Sequence, residues 1–187
     1  MISSVETINF YLALATLAMQ ILAVAFLALF LLRKKFPDLE DVAGFLETWG
    51  LWIAVVLTLG GIAMTLLYSE VLGFAPCGLC WLQRVFLYPQ IVLFALALWK
   101  RDRHAADYSI ALSAIGGTVA LYQHYLQMGG HDILPCPATL SQATDCATRF
   151  LFEFGYITFP LMSFSLFAFL IVLMLFVRGK RSGSIGA

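Results

Sequence analysis

Charge is scarce in this sequence: Asp, Glu, Lys and Arg make up 12% of its 187 residues, and the formal net charge is zero. An ordinary soluble domain carries about 25%. With no basic excess there is no electrostatic case for nucleic acid as a partner. Strand-like alternation of apolar and polar residues is absent, which argues against a membrane β-barrel. No internal repeat and no low-complexity segment occurs. Cysteine is rare too, with four residues, and that number alone does not decide between disulfides, metal and catalysis.

Apolar residues are what the chain has in excess, at 61% against roughly 45–50% in a soluble domain. A bilayer accommodates that surface where a core of this size does not. Crossing the hydrocarbon takes about 20 apolar residues, and five segments qualify or nearly so: Ile8–Leu32, Trp49–Tyr68, Trp81–Trp99, Ala105–Leu126 and Ile157–Val177. Lipid cannot satisfy exposed backbone groups, so each is predicted to be helical, giving an all-α integral membrane protein. No Lys or Arg precedes the first segment, whereas Arg33, Lys34 and Lys35 follow it. That reverses the charge order of a cleavable signal and predicts a retained helix.

Basic residues also predict orientation. Besides Arg33, Lys34 and Lys35, the clusters are Lys100, Arg101 and Arg103 between spans three and four, and Arg178, Lys180 and Arg181 after span five. With five crossings all three clusters fall on one face, cytoplasmic by the positive-inside rule, and the N-terminus lies outside. Asp38–Thr48 reads either as a short cytoplasmic amphipathic helix, with Leu39, Val42, Leu46 and Trp49 at helical spacing and Asp38 as cap, or as a polar linker. Gly60–Gly61 and Gly116–Gly117 suit close helix packing. The tail Gly179–Ala187 is expected to be loose.

All four cysteines fall on the outer side. Cys77 and Cys80 lie in the first outer loop, as Pro76-Cys77-Gly78-Leu79-Cys80, and Cys136 and Cys146 lie in the second. An extracytoplasmic compartment favours disulfides. A Cys-X-X-Cys opening an apolar helix places its sulfurs at a helix N-terminus, where backbone N–H groups stabilise a thiolate. Arg84, four residues after Cys80 and seven after Cys77, falls near the same helix face and would favour a Cys80 thiolate; alternatively it is a snorkelling anchor. Pro135 and Pro137 flank Cys136 and favour an extended, accessible chain. Cys146 lies in Ala138–Phe154, which could form a helix on the membrane surface seated by Phe150, Phe152, Phe154 and Tyr156. A Cys136–Cys146 bridge would serve either exchange or as a structural staple. His124, within Tyr122-Gln123-His124-Tyr125, suits either a hydrogen bond to a ligand or a partner on a neighbouring helix. His131 reads as solvated, and Trp81 and Tyr88 as interfacial aromatics that could also wall a pocket for a flat ring.

Pro76-Cys77-Gly78-Leu79-Cys80-Trp81-Leu82-Gln83-Arg84, with Cys136-Pro137-Ala138-Thr139 and Cys146-Ala147-Thr148, resembles the two active loops of the disulfide bond formation protein B (DsbB) family, closest to its BdbC-type members. The resemblance runs from about Trp49 to Val177. It implies a four-helix transmembrane bundle over 49–178, with an extra N-terminal helix and connector over 1–48 and a cytoplasmic tail over 179–187. It implies a quinone (ubiquinone or menaquinone) drawn from the membrane pool, and a DsbA-like partner of thioredoxin fold. By position, the partner attacks Cys136, Cys146 resolves toward Cys77, and Cys80 lies beside the quinone with Arg84 assisting and His124 near the ring. Gln83 stands where some members carry an acid, so no proton role carries over to it. The setting implied is a bacterial inner membrane. The rival reading is a thiolate metal site built from Cys77, Cys80, Cys136 and Cys146. A reducing carrier would need a cytoplasmic or mid-membrane thiol, and the chain has none.

Overall fold

A computed structural model describes residues 2–33, 35–36, 40–102, 104–131, 133, 136 and 145–183, with side chains from 5 to 179 within these. Its helices are α1 (Ile2–Leu32), α2 (Glu40–Leu66), α3 (Gly78–Lys100), α4 (Ala105–Gln127) and α5 (Phe159–Gly183); α2 runs on into a π-helical turn, Leu67–Val71. Among the described residues there is no strand, only an isolated bridge between Glu153 and Ile157.

Helices α2 to α5 form a closed bundle in which α2 packs on α3, α3 on α4, α4 on α5 and α5 back on α2. The core is mostly α5: Phe167, Leu170, Leu173, Met174, Phe176 and Val177 are almost fully buried, joined by Phe94 of α3 and Leu46 of α2. Helix α1 packs on the outside of α5. Its ends are tied elsewhere: Tyr68 donates to Asn9 Oδ1 near one end, and Arg33 pairs with Glu47 at 3.1 Å near the other. Gln20 Nε2 donates to Ser165 Oγ at 2.9 Å between them.

Four helices are long and apolar enough to cross a membrane, over Val5–Leu32, Glu40–Val71, Gly78–Lys100 and Phe159–Gly179. The fifth predicted span, α4, has the length, 23 residues, but one face is polar. That face meets α3: Ser109 donates to Gln90 Oε1 at 2.7 Å, and Gln90 Nε2 donates to Ser113 Oγ at 3.1 Å. In hydrocarbon such interhelical bonds join helices that gain nothing from the hydrophobic effect between them. Glycine does the rest. A Cβ on Gly116 would stand 2.6 Å from the Phe167 ring, and one on Gly61 2.7 Å from Leu166.

Three expectations change. The tail expected to be loose from Gly179 instead continues α5 as helix to Gly183. The segment from Glu40 onward is no separate amphipathic helix but the first turns of α2, because nothing breaks the helix before Trp49. Its buried face is Ala43, Leu46 and Gly50, while Val42 and Trp49 are exposed; Asp38 and Leu39 lie outside the described residues. In the second outer loop, 145–154 is turn and extended chain rather than surface helix. A tight turn with left-handed Phe154 and Gly155, closed by the Glu153–Ile157 bridge, cannot continue a helix. Pro135 and 137–144 lie outside the described residues.

The described members of the basic clusters gather at one end of the bundle. The Arg33 guanidinium lies 2.9 Å from where a Cβ on Gly179 would stand, and Arg178 pairs with Asp107 at 3.2 Å. The cysteines occupy the opposite end, since α3 begins beside Cys77 and ends at Lys100.

Candidate active site

Cys77 is the N-cap of α3, its sulfur accepting a hydrogen bond from the Cys80 N–H at 3.3 Å. Capping by the first cysteine turns the second inward, so the two free thiols stand 2.8 Å apart. Cys77 is buried and Cys80 partly so. The hydrogen bond with Cys80, and then burial, push the Cys77 thiol well above its ordinary pKa.

Cys136 and Cys146 form a disulfide with Cα atoms 6.0 Å apart. Cys146 is buried in one cluster with Cys77, Leu79 and Leu126, while Cys136 is only partly buried at its edge. Gln123 of α4 spans the two pairs. Its Nε2 lies 3.1 Å from the Cys77 sulfur, 3.3 Å from the Cys80 sulfur and 3.5 Å from the Cys146 carbonyl oxygen. Its Oε1 accepts from Gln83 Nε2 at 2.6 Å. The amide is 1% exposed, so its donors are aimed at sulfur without competition from water. Sequence reasoning passed over Gln123 in favour of its neighbour. The helical spacing of Gln123 and Gln127, together with Gln83 one turn after Cys80, was the available signal.

Arg84 does not snorkel. It is 8% exposed, donates to the Thr65 carbonyl at 2.9 Å and lies with its guanidinium carbon 5.0 Å from the centre of the Trp81 ring. Burying arginine in a span costs roughly 2.5–3.5 kcal/mol on insertion scales, and the carbonyl offsets part of that. Thr65 just precedes the π turn, a local widening often found at functional sites. Arg84 and Cys80 both line a cavity of about 510 Å³ bounded by α1, α2, α3 and α5, with Gln123 of α4. Apart from Arg84, Gln83, Gln123 and a few hydroxyls, its walls are apolar, with Leu87, Met162, Leu166 and Phe167 among them.

His124 turns elsewhere. Its Nδ1 is 2.9 Å from Thr158 Oγ1, which also accepts from the Leu161 N–H at the start of α5. It is not among the residues lining the cavity. Cys136 and Cys146 are joined as a disulfide, which leaves Cys77 and Cys80 as the free thiols.

A dithiol capping a membrane helix, packed against a disulfide and opening onto an apolar cavity, defines a membrane-bound thiol–disulfide exchange protein. A family profile described as disulfide bond formation protein DsbB matches residues 47–177, and the chain belongs to that family. It is 35% identical over 127 residues to a SPbeta prophage-derived disulfide bond formation protein B of Bacillus subtilis, covering 67% of this chain and 84% of that one. It is 28% identical over 134 residues to disulfide bond formation protein C of the same organism, covering 70% and 91%. A probable disulfide formation protein of Metapseudomonas resinovorans is 35% identical over 141 residues, covering 72% and 92%. No solved structure matches the chain.

Proposed function

We propose that the chain is a thiol:quinone oxidoreductase of the bacterial inner membrane that reoxidises a DsbA-like thioredoxin-fold partner, with the cysteine end outside and the basic end cytoplasmic. The observation that carries this is the placement of one dithiol between two neighbours: Cys77 packs with Cys146 of the disulfide, and Cys80 lines the apolar cavity.

The exchanges balance as three two-electron steps. A partner dithiol reduces the Cys136–Cys146 bond and becomes a disulfide. The Cys136 and Cys146 thiols then reduce a Cys77–Cys80 disulfide and re-form their own. Finally the Cys77 and Cys80 thiols give up two electrons and two protons. Cys136 is the sulfur a partner reaches, because Cys146 is 1% exposed. Cys146, buried against Cys77, is placed for the internal exchange. Gln123 donates N–H to whichever inner sulfur carries charge, and Arg84 holds a cation at the polar end of the cavity. The apolar walls keep water from the Cys80 sulfur.

The cavity fits a quinone, with a size and apolar lining that suit a flat ring and a guanidinium and amide at one end for its oxygens. When bound there, a quinone supplies the two-electron, two-proton acceptor. Such an acceptor is required energetically: a DsbA-like partner sits at about −120 mV, and every 30 mV uphill costs about 1.4 kcal/mol for two electrons. We assign His124 to positioning: it fixes Thr158, the cap of α5, whose next turns wall the cavity.

Replacing Cys77 with Ser tests the electron path. The variant should still capture the partner in a mixed disulfide yet reduce no quinone, and full quinone reduction would rule the path out.

A further inference from the structure

Helix α1 lies outside the family match, which begins at residue 47, yet Leu12, Ala15, Thr16 and Met19 of α1 line the cavity. We propose that α1 is the lateral wall of the acceptor site, and that the cleft between α1 and α2 holds the acceptor's apolar tail. This rests on the quinone reading above and names what that reading leaves open: which part of the acceptor the added helix recognises.

Length is the first argument. The side of the cavity formed by α2 and its π turn is lined from Val56 to Ser69, thirteen residue steps that rise about 20 Å at 1.5 Å each. A ring beside Cys80 and Arg84 fills only one end. The remainder is mostly apolar: Leu12, Ala15 and Met19 line it from α1 and Val56, Leu57 and Met64 from α2, with Thr16 and Ser163 as hydroxyls. Thr16 spends its hydroxyl hydrogen on the Leu12 carbonyl of its own helix, and a lining this apolar makes hydrocarbon the fitting occupant.

The second argument is how α1 is held. It packs on α5 and is fastened to α2 and its π turn near both ends, through Asn9–Tyr68 and Arg33–Glu47. Between these ties both helices present small residues to the cavity, Ala15 on α1 and Gly60 on α2. Nothing lies within 4 Å of a Cβ built on Gly60. Ala15, Val56, Gly60 and Met64 are all exposed in the isolated chain, so the cleft opens sideways, where lipid lies. A tail can therefore enter from the bilayer without α1 leaving α5.

Equilibrium binding to the full chain in detergent tests this, read by quenching of tryptophan fluorescence with two ligands: a quinone bearing a multi-isoprenoid tail, and the same ring without it. Ala15→Phe and Gly60→Phe, which fill the cleft from opposite walls, should each raise Kd for the tailed form at least tenfold and leave the tail-less form within twofold. Leu14→Phe, on the lipid face of α1 at 47% exposure, should change neither. Partner capture at Cys136 needs no quinone and shows that each variant is folded. Unchanged binding of the tailed form in both cleft variants, or equal weakening of both ligands, would overturn the assignment of α1 while the quinone reading stands. If the unaltered protein binds neither ligand, both fall together.

Discussion

At the scale of single residues the least obvious participant is Gln123. Its amide touches both inner sulfurs and the backbone of Cys146, while its oxygen is held by Gln83. Hydrogen bonds to a charged group contribute about 1.5–3 kcal/mol each, and 1.4 kcal/mol is tenfold in rate or equilibrium. Gln123→Leu should slow exchange between the two cysteine pairs by about ten- to a hundredfold. It should also lower stability by about 1–3 kcal/mol, since the buried Gln83 amide loses its acceptor. The double variant Gln83→Leu/Gln123→Leu separates these effects: thermal unfolding in detergent should recover, and stopped-flow exchange should not. Recovery of both would leave Gln123 only a packing role. The gathering of Cys77, Cys80 and Arg84 at one end of α3 is legible in the sequence, because a Cys-X-X-Cys opening an apolar helix fixes the place of its sulfurs and of a cation one turn on. Gln123 is not, because glutamine is chemically unremarkable until the contact of α3 with α4 decides which face it occupies. His124 carries the stronger chemical signal, but helix rotation turns it to Thr158.

Between elements, packing depends on where glycine permits approach. At Gly116 a side chain would run into the Phe167 ring, and overpacking costs about 1–3 kcal/mol. Gly116→Val should therefore lower the midpoint of thermal unfolding. Gly44, in the first turns of α2, has nothing within 4 Å of a built Cβ, and Gly44→Ala should raise the midpoint, since alanine gains about 0.8–1 kcal/mol over glycine in a helix. Equal shifts would show that helix propensity, not approach, governs both sites. The helices themselves were legible from apolar run length, which lipid thickness sets. Their ends were less so. Lipid thickness does not limit a helix that continues into water, and so α2 begins at Glu40, nine residues before the predicted span at Trp49. Run length is equally silent about partners, so the place of α1 against α5, and its share of the cavity, emerge only from the fold.

For the molecule as a whole, function requires that its two ends differ. In the proposed function electrons enter at sulfur, so that reading requires the cysteine end to face the oxidising compartment, while the bilayer orients a chain by charge. The structure separates these features along the bundle: Cys77 starts α3 and Lys100 ends it, and Arg33 and Arg178 lie at the same end as Lys100. Arg84 and Arg149 are the basic residues of the cysteine end; one is buried against a carbonyl and the other lies over the Phe152 ring. The positive-inside bias therefore points one way. Two single-cysteine reporters test it on intact spheroplasts with a maleimide that cannot cross membranes. One retains Cys136 with the other three cysteines replaced by Ser; the other carries Asp102→Cys, at an exposed site beyond α3, in a chain otherwise free of cysteine. Cys136 should label without permeabilisation and the residue 102 reporter only after it. The reverse pattern would place the dithiol in a reducing compartment, where a disulfide generator has no work to do, and would remove the basis for the proposed direction of electron flow.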